Sequence, residues 1–313
     1  MRTFAVSALR EPPFPARRHD TTDQLAGEST AWALSFGLID SGHRMSRLRR
    51  ADAAGLAGRA APDGPVDEVR LLTDLISWLF VMDDACDEDG LGAAPTRLAP
   101  VVADLLDVLD RHGDGPARPD DGPLGGALHD LCRRVRAHGR SALLLRFVSR
   151  VRDYLLALLW EASNREHGRA PGVAEYVQMR RHTGGVHPSF ALTDLALAGL
   201  PGAATRTEPT VLAVDTLAAD LVCWCNDVFS YSKERTDPDG HNLVTVIARE
   251  FGHDEAGALR AAAERFNDTL SAYLTAEAKL LAEGDPAVHP VLAARRNWIR
   301  ATYDWSLVAA RYA

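Results

Sequence analysis

The stretch NDVFSYSKE, Asn226 to Glu234, sets a carboxamide, a hydroxyl and a carboxylate at four-residue intervals. On a helix Asn226, Ser230 and Glu234 are i, i+4 and i+8, so they fall within about 80° of one another. They form a ladder of three oxygen donors on one face, with Phe229 and Tyr231 directed elsewhere. A solvated polar face is the competing reading of such a ladder taken alone. A second oxygen-bearing stretch decides between them.

That second stretch is ISWLFVMDDACDEDG, Ile76 to Gly90, an apolar helix ending in Asp83, Asp84, Asp87, Glu88 and Asp89. Like charges at i, i+4 repel by about 0.2–0.5 kcal/mol per pair, and the negative end of the helix dipole adds a similar penalty. A solvated acidic tip is one outcome. A divalent cation is the other, because it reverses the sign of each of these terms and hard oxygens are its preferred ligands. Relative to Phe80, Asp83 lies at about −60°, Asp84 at about +40° and Asp87 at about −20°, with Ile76 and Thr73 below on the same stripe. The ladder helix has the same design, with Ala219, Val222 and Cys223 beneath Asn226. Two helices that are apolar below and oxygen-bearing at one end can enclose an oily pit with a metal-lined rim.

The surrounding chain fits an all-α protein. Of 313 residues, 46% are hydrophobic and 25% charged, as expected of a globular protein rather than a disordered one. Segments rich in breakers recur at 60–65, 112–123, 165–172, 199–209, 236–240 and 283–290, and between them lie runs of Ala, Leu, Arg and Glu. This predicts roughly ten helices joined by short loops. No loop marks a domain boundary and no repeat recurs, so a single domain over 1–313 is expected. The net charge of −8 argues against nucleic acid as a partner. Any phosphate-bearing ligand must then be held by local arginines or metal ions. Cys86, Cys132, Cys223 and Cys225 match no zinc pattern and no disulfide scaffold, which points to a reducing cytoplasm. The opening MRTFAVSALREPPFP is too interrupted for a signal peptide, and no uncharged apolar run reaches the about 18 residues of a membrane span.

DDACDE resembles the aspartate-rich DDxxD motif of class I terpene synthases. NDVFSYSKE, 143 residues after it, matches their second motif, (N/D)DxxSxx(K/R)E, at every specified place. The family carries a diphosphate-sensing arginine 46 residues before the asparagine of that motif, which is Arg180 here, with Arg181 as its neighbour and rival. It also carries an Arg-Tyr pair near the C-terminus, matched by Arg311 and Tyr312. PPFPARRHD and WALSFGL resemble the capping segment of the bacterial branch, a partly mobile cap over residues 1–25, so the likeness runs from about residue 12 to 312. One departure stands out: Thr183, followed by Gly184, occupies a position where the family often has an acidic residue.

The resemblance implies a catalytic trio of Arg180, Thr183 and Gly184. It implies Mg²⁺, three ions, held by Asp83, Asp84 and Asp87 and by Asn226, Ser230 and Glu234. Arg180, Lys233, Arg311 and Tyr312 would then donate to the diphosphate, and Phe80 and Trp305 would line the pocket. Trp298, Trp305 and Tyr312 recur every seven residues and are expected on one stripe of the last helix, whereas Trp78 and Trp224 read as packing. The implied reaction is ionisation and cyclisation of a linear isoprenoid diphosphate, farnesyl diphosphate before the geranylgeranyl or geranyl homologues. Homodimerisation is compatible with such a bundle. Three rivals remain: a chain-elongating prenyltransferase, which pairs two aspartate-rich motifs; a non-catalytic acidic helical protein; and a di-iron bundle, whose Glu-x-x-His spacing is absent.

Overall fold

Mapped onto three dimensions, the breaker-punctuated pattern gives helices and no strand among the described residues. The computed structural model describes residues 2–197, 201–235 and 241–312. The breaker segment at 236–240 lies outside them. The opening helices are α1 (Arg2–Ala8), α2 (Thr22–Ser35), α3 (Gly42–Ala51) and α4 (Ala53–Ala60). They precede α5 (Val66–Asp87), α6 (Pro95–Asp110), α7 (Gly122–Ala137) and α8 (Ser141–His167). Then come α9 (Val173–Thr183), α10 (Val186–Leu195) and the single turn α11 (Ala203–Arg206). The chain ends in α12 (Pro209–Glu234), α13 (Leu243–Phe251), α14 (Glu255–Glu283) and α15 (His289–Val308). The expectation of about ten is exceeded because short N-terminal helices and a split at Gly184 each count separately.

The helices close a ring. α12 packs on α15, α15 on α4, α4 on α5, α5 on α10, and α10 returns to α12, with α8 and α9 behind α10. The buried apolar side chains form one connected core across these elements, including Trp78, Phe147, Phe190, Phe229 and Phe266. Fully burying a side chain of this kind contributes about 1.5–3 kcal/mol, so these contacts hold the ring together.

Two termini and one break position the site. α5 begins with Asp67 and Glu68 in its first turn, favourable against the helix dipole, and stops before Gly90 in the left-handed region at φ 79°. α12 starts at Pro209, whose fixed φ suits a first helical turn. Between α9 and α10 the chain breaks at Gly184-Gly185. A side chain on Gly184 would meet the Cys223 sulfur at 2.7 Å, and Gly185 has φ 64°. Both positions need glycine, for contact and for backbone conformation respectively.

The N-terminal segment is tied across the bundle. The Arg10 backbone N–H donates to Asn267 on α14 at 2.7 Å, and Arg300 on α15 donates to the Pro12 carbonyl at 3.0 Å. Phe14 is buried, edge-on to Tyr273.

Candidate active site

Both oxygen-bearing helix ends open onto one cavity of about 300 Å³. Asp83, Asp87 and Glu88 from α5 and Asn226, Lys233 and Glu234 from α12 lie in its wall. The apolar part is supplied by Leu56, Ile76, Leu79, Phe80, Val186 and Val222, with Trp298 and Trp305 from α15. Phe80 stacks on Trp305, ring centroids 5.9 Å apart at 17°. The indole N–H groups are satisfied elsewhere, Trp305 by the Ala51 and Asp52 carbonyls and Trp298 by Thr193, so their carbon surfaces are left for the cavity. Thr73, read as part of the same stripe, faces a different recess between α2, α4 and α5. Trp78 and Trp224 are packing residues, as read: one donates to the Leu124 carbonyl and the other lies under Arg265.

The acidic tip is neutralised differently from the expectation. Arg311 donates to Asp83 at 2.6 Å and to Asp84 at 3.1 Å. Arg165 binds Asp87, Lys233 binds Glu88 at 2.8 Å, and Arg47 spans Glu88 and Asp89 at 2.9 and 2.8 Å. Repulsion along the helix therefore does not by itself require a metal, because among the described residues five side-chain cations already offset it: Arg44, which also pairs with Asp89 at 2.8 Å, and Arg47 from α3, Arg165 from α8, Lys233 from α12 and Arg311 at the C-terminus. Hydrogen bonding to Arg47 holds the Asp89 carboxyl below its ordinary range. Burial raises Asp84 and Asp87, against the pull of Arg311 and Arg165 respectively.

The ladder is more enclosed. Asn226 accepts from Arg180 at 2.9 Å and donates to the Tyr312 hydroxyl. Glu234 accepts a neutral amide N–H from Asn242 at 2.9 Å, and burial raises its pKa. Arg180 also donates to Asp227 at 3.0 Å, so the sensor candidate is fixed by two consecutive α12 residues. Its rival Arg181 is occupied outside the cavity, forked on Asp220 at 2.7 and 2.8 Å. The Arg180 carbonyl accepts the Gly184 N–H at 3.0 Å, and Thr183 and Gly184 both lie in the cavity wall. Thr183 is buried beside Glu161.

Two expected ligands do not face the cavity. Asp84, 100° round the helix from Asp83, turns into a neighbouring recess with Arg44 and Arg47. Ser230 is buried behind the wall, with long 3.4 Å contacts to the Asp227 carbonyl and Asn242. A third expectation is corrected at the C-terminus. α15 ends at Val308, Ala309 is extended at ψ 132°, and Tyr312 sits on a separate 3-10 turn, Ala310–Tyr312. The turn folds Tyr312 back edge-on to Trp305 at 5.5 Å. Arg311 and Tyr312, adjacent in the chain, thereby reach opposite rows of oxygens.

Several wall residues escaped the sequence reading. α8 supplies Tyr154, Glu161 and Arg165 at i, i+7 and i+11, a polar stripe on one face. Tyr176 donates to Asp227 at 2.7 Å, and Asn242 donates to the Asp227 carbonyl at 2.8 Å while capping α13. The acidic second letter of NDVFSYSKE and the asparagine opening LVTVIAREF were the available signals. Among the described residues no three His, Cys, Asp or Glu side chains already converge as a metal cluster, and no helix is long and apolar enough to cross a membrane.

The terpene synthase family 2, C-terminal metal-binding model matches residues 74–272, which span both oxygen rows. A (+)-T-muurolol synthase ((2E,6E)-farnesyl diphosphate cyclizing) of Roseiflexus castenholzii is 35% identical over 96% of this chain and 92% of its own length. A 4-epi-cubebol synthase ((2E,6E)-farnesyl diphosphate cyclizing) of Streptosporangium roseum is 30% identical over 96% and 90%. The solved structure of an a-eudesmol synthase shares the fold, with a TM-score of 0.83, 24% identity and coverage of 96% and 99%. With the helix ring, the paired oxygen rows and relatives of this extent in agreement, the chain belongs to the bacterial class I terpene synthases.

Proposed function

We propose that this terpene synthase ionises and cyclises farnesyl diphosphate to a sesquiterpene hydrocarbon or alcohol, with Mg²⁺ as cofactor and three ions bound. The carrying observation is that two oxygen-bearing helix ends meet across one aromatic-walled cavity, joined by Arg311 and Tyr312. Carboxylate and carboxamide oxygens predominate on the cavity face, a hard donor set that suits Mg²⁺. Asp83 and Asp87 would hold ions on one side. Asn226 and Glu234 would do so on the other; Ser230, buried behind the wall, would join them only by turning toward the cavity. When bound, the ions neutralise charge growing on the diphosphate as the allylic C–O bond breaks.

The chain's own cations then complete the site. Arg311, Lys233 and Arg180 now bond to Asp83, Glu88 and Asn226. A bound diphosphate offers them stronger acceptors, and Arg180 and Arg311 suit bidentate contact with it. Asp84 holds one nitrogen of Arg311, which makes it a support for that arginine rather than a ligand. Thr183 and Gly184 carry the break that connects Arg180 to the cavity wall, so this trio senses the leaving group. Phe80, stacked on Trp305 and already 4.7 Å from the Arg311 guanidinium, offers its π-system to positive charge in the pocket.

The relatives named for farnesyl diphosphate favour that substrate over the geranylgeranyl and geranyl homologues. Incubation with each of the three and Mg²⁺, followed by gas chromatography, is the test. A cyclic C15 product from farnesyl diphosphate alone is expected. A requirement for isopentenyl diphosphate, or no product from any of the three, would overturn the reading.

A further inference from the structure

At the far end of the same helices lies a second, differently charged recess. Asp215 on α12 is eleven residues before Asn226, about 16 Å along the helix axis, and it lies in the wall of a cavity of about 650 Å³. Arg146 and Arg150 from α8 share that wall with Arg140 at its N-cap and Arg206 from α11. None of these residues belongs to the site described above.

The charges around it do not balance. Asp194, fully buried behind the wall, accepts from Arg146 at 2.5 Å, Arg206 at 2.6 Å and Arg295 at 2.8 Å, so one carboxylate serves three guanidinium groups. Asp215 takes Arg295 at 2.7 Å and stands 3.7 Å from Arg146. Arg150 pairs with Asp153 at 3.1 Å, and Arg140 donates to the backbone carbonyls of Leu195 and Leu197, at 3.2 and 3.3 Å. In and behind this wall, among the described residues, five arginines thus meet three carboxylates, in a chain whose net charge is −8. The Nη1 of Arg206 is buried without a hydrogen-bond partner among the described residues. A buried unmade donor of this kind is costly and invites an acceptor. The positive field is felt nearby: burial, then Arg150, push His187 down to about 3, despite Asp215 beside it.

We propose that this recess binds a phosphate or diphosphate group directly, without metal. Guanidinium forks match the oxygens of a tetrahedral anion, and two surplus positive charges suit a dianion. This sets the recess apart from the acidic cavity, whose own carboxylates would repel the same anion unless cations intervened. The contrast also gives the test, which holds whether or not the chain cyclises farnesyl diphosphate.

Isothermal titration of the full chain with inorganic diphosphate, in buffer containing EDTA, should show one-site binding with a dissociation constant below a millimolar. Arg150→Ala removes a side chain that is 37% exposed and, among the described residues, ion-paired to Asp153 outside the wall, so it should leave the fold undisturbed. Losing one charge-assisted contact should weaken binding about tenfold, in this variant and in Arg206→Ala. Asn226→Leu, which alters the other cavity, should bind as the wild type does. Absence of binding heat in EDTA would overturn the proposal. So would an unchanged constant in Arg150→Ala, or loss of binding in Asn226→Leu.

Discussion

The two oxygen rows do similar work in opposite surroundings. On α5 the acids are partly exposed, Asp83 by 47%, and each has an organic cation as partner. On α12 the donors are enclosed: the Asn242 amide donates to Glu234, while Asn226 accepts from Arg180 and donates to Tyr312, so the row's carboxylate has a neutral hydrogen-bond partner. A metal arriving at α5 exchanges one positive partner for another. A metal arriving at α12 instead supplies charge to Glu234, whose hydrogen-bond donor is the neutral Asn242 amide; burial raises the carboxyl pKa on both rows, so the partners make the difference. The enclosed row therefore has more to gain from the ion, and more to lose from a substitution.

The largest expected effect follows from that difference. Asn226→Leu or Glu234→Gln should abolish measurable turnover, a loss of at least about 10³-fold if one metal contributes about 4 kcal/mol to the transition state. Circular dichroism should remain helical. Wild-type rates from either variant would remove α12 from the site. Asp83→Asn comes next, at about 10²-fold, because Asp87 stays available on the exposed row. Its signature should be a raised Mg²⁺ requirement, read as weaker thermal stabilisation by Mg²⁺ with diphosphate. Equal losses from Asp83→Asn and Glu234→Gln would erase the proposed contrast between the rows.

How far this contrast was legible in the sequence depends on the distance over which its causes act. The ladder at Asn226, Ser230 and Glu234 and the break at Gly184-Gly185 are local, so helix periodicity and glycine conformation sufficed. The apolar stripes under both ends were readable for the same reason, apart from Thr73. The cations on α5 were not, since Arg47, Arg165 and Arg311 lie far along the chain and meet the acids only after folding. Glu161 was missed because the stripe of Tyr154, Glu161 and Arg165 is spread over twelve residues of α8, and its spacing alone does not say that it faces a cavity. Tyr312 was assigned to the last helix because no glycine or proline announces the extension at Ala309. Fold class is thus written in local composition. Charge pairing is written in tertiary contact.

Asn242 tests whether the enclosed row is prearranged. Its amide donates to Glu234 and to the Asp227 carbonyl, and its oxygen caps α13 through Val244 N–H at 2.9 Å. Asn242→Ala should cost about 1–3 kcal/mol, as expected where buried acceptors lose a donor and a cap is removed. Activity should fall about tenfold at 25 °C, a smaller loss than replacing a donor oxygen, because Glu234 itself remains. Chemical denaturation and single-turnover rates measure the two separately. Loss of stability with full activity would mean that Asn242 serves only the helix cap.

The smallest expected effect belongs to Asp84, and it discriminates most finely. If the aspartate-rich motif acted as one ligand set, Asp84→Asn would match Asp83→Asn. The geometry argues otherwise. Asp84 faces the recess beside Arg44 and Arg47, and its contact with the site is one 3.1 Å bond to Arg311, whose other nitrogen stays on Asp83 at 2.6 Å. Removing its charge weakens the hold on Arg311 by one of two hydrogen bonds, about 1 kcal/mol, which corresponds to about fivefold in rate. Mg²⁺ dependence should stay as in the wild type, because the carboxylates in the cavity wall are untouched. A 10²-fold loss with a raised Mg²⁺ requirement would show that Asp84 turns inward to bind metal, and that the exposed row rearranges far more on loading than its present pairing implies.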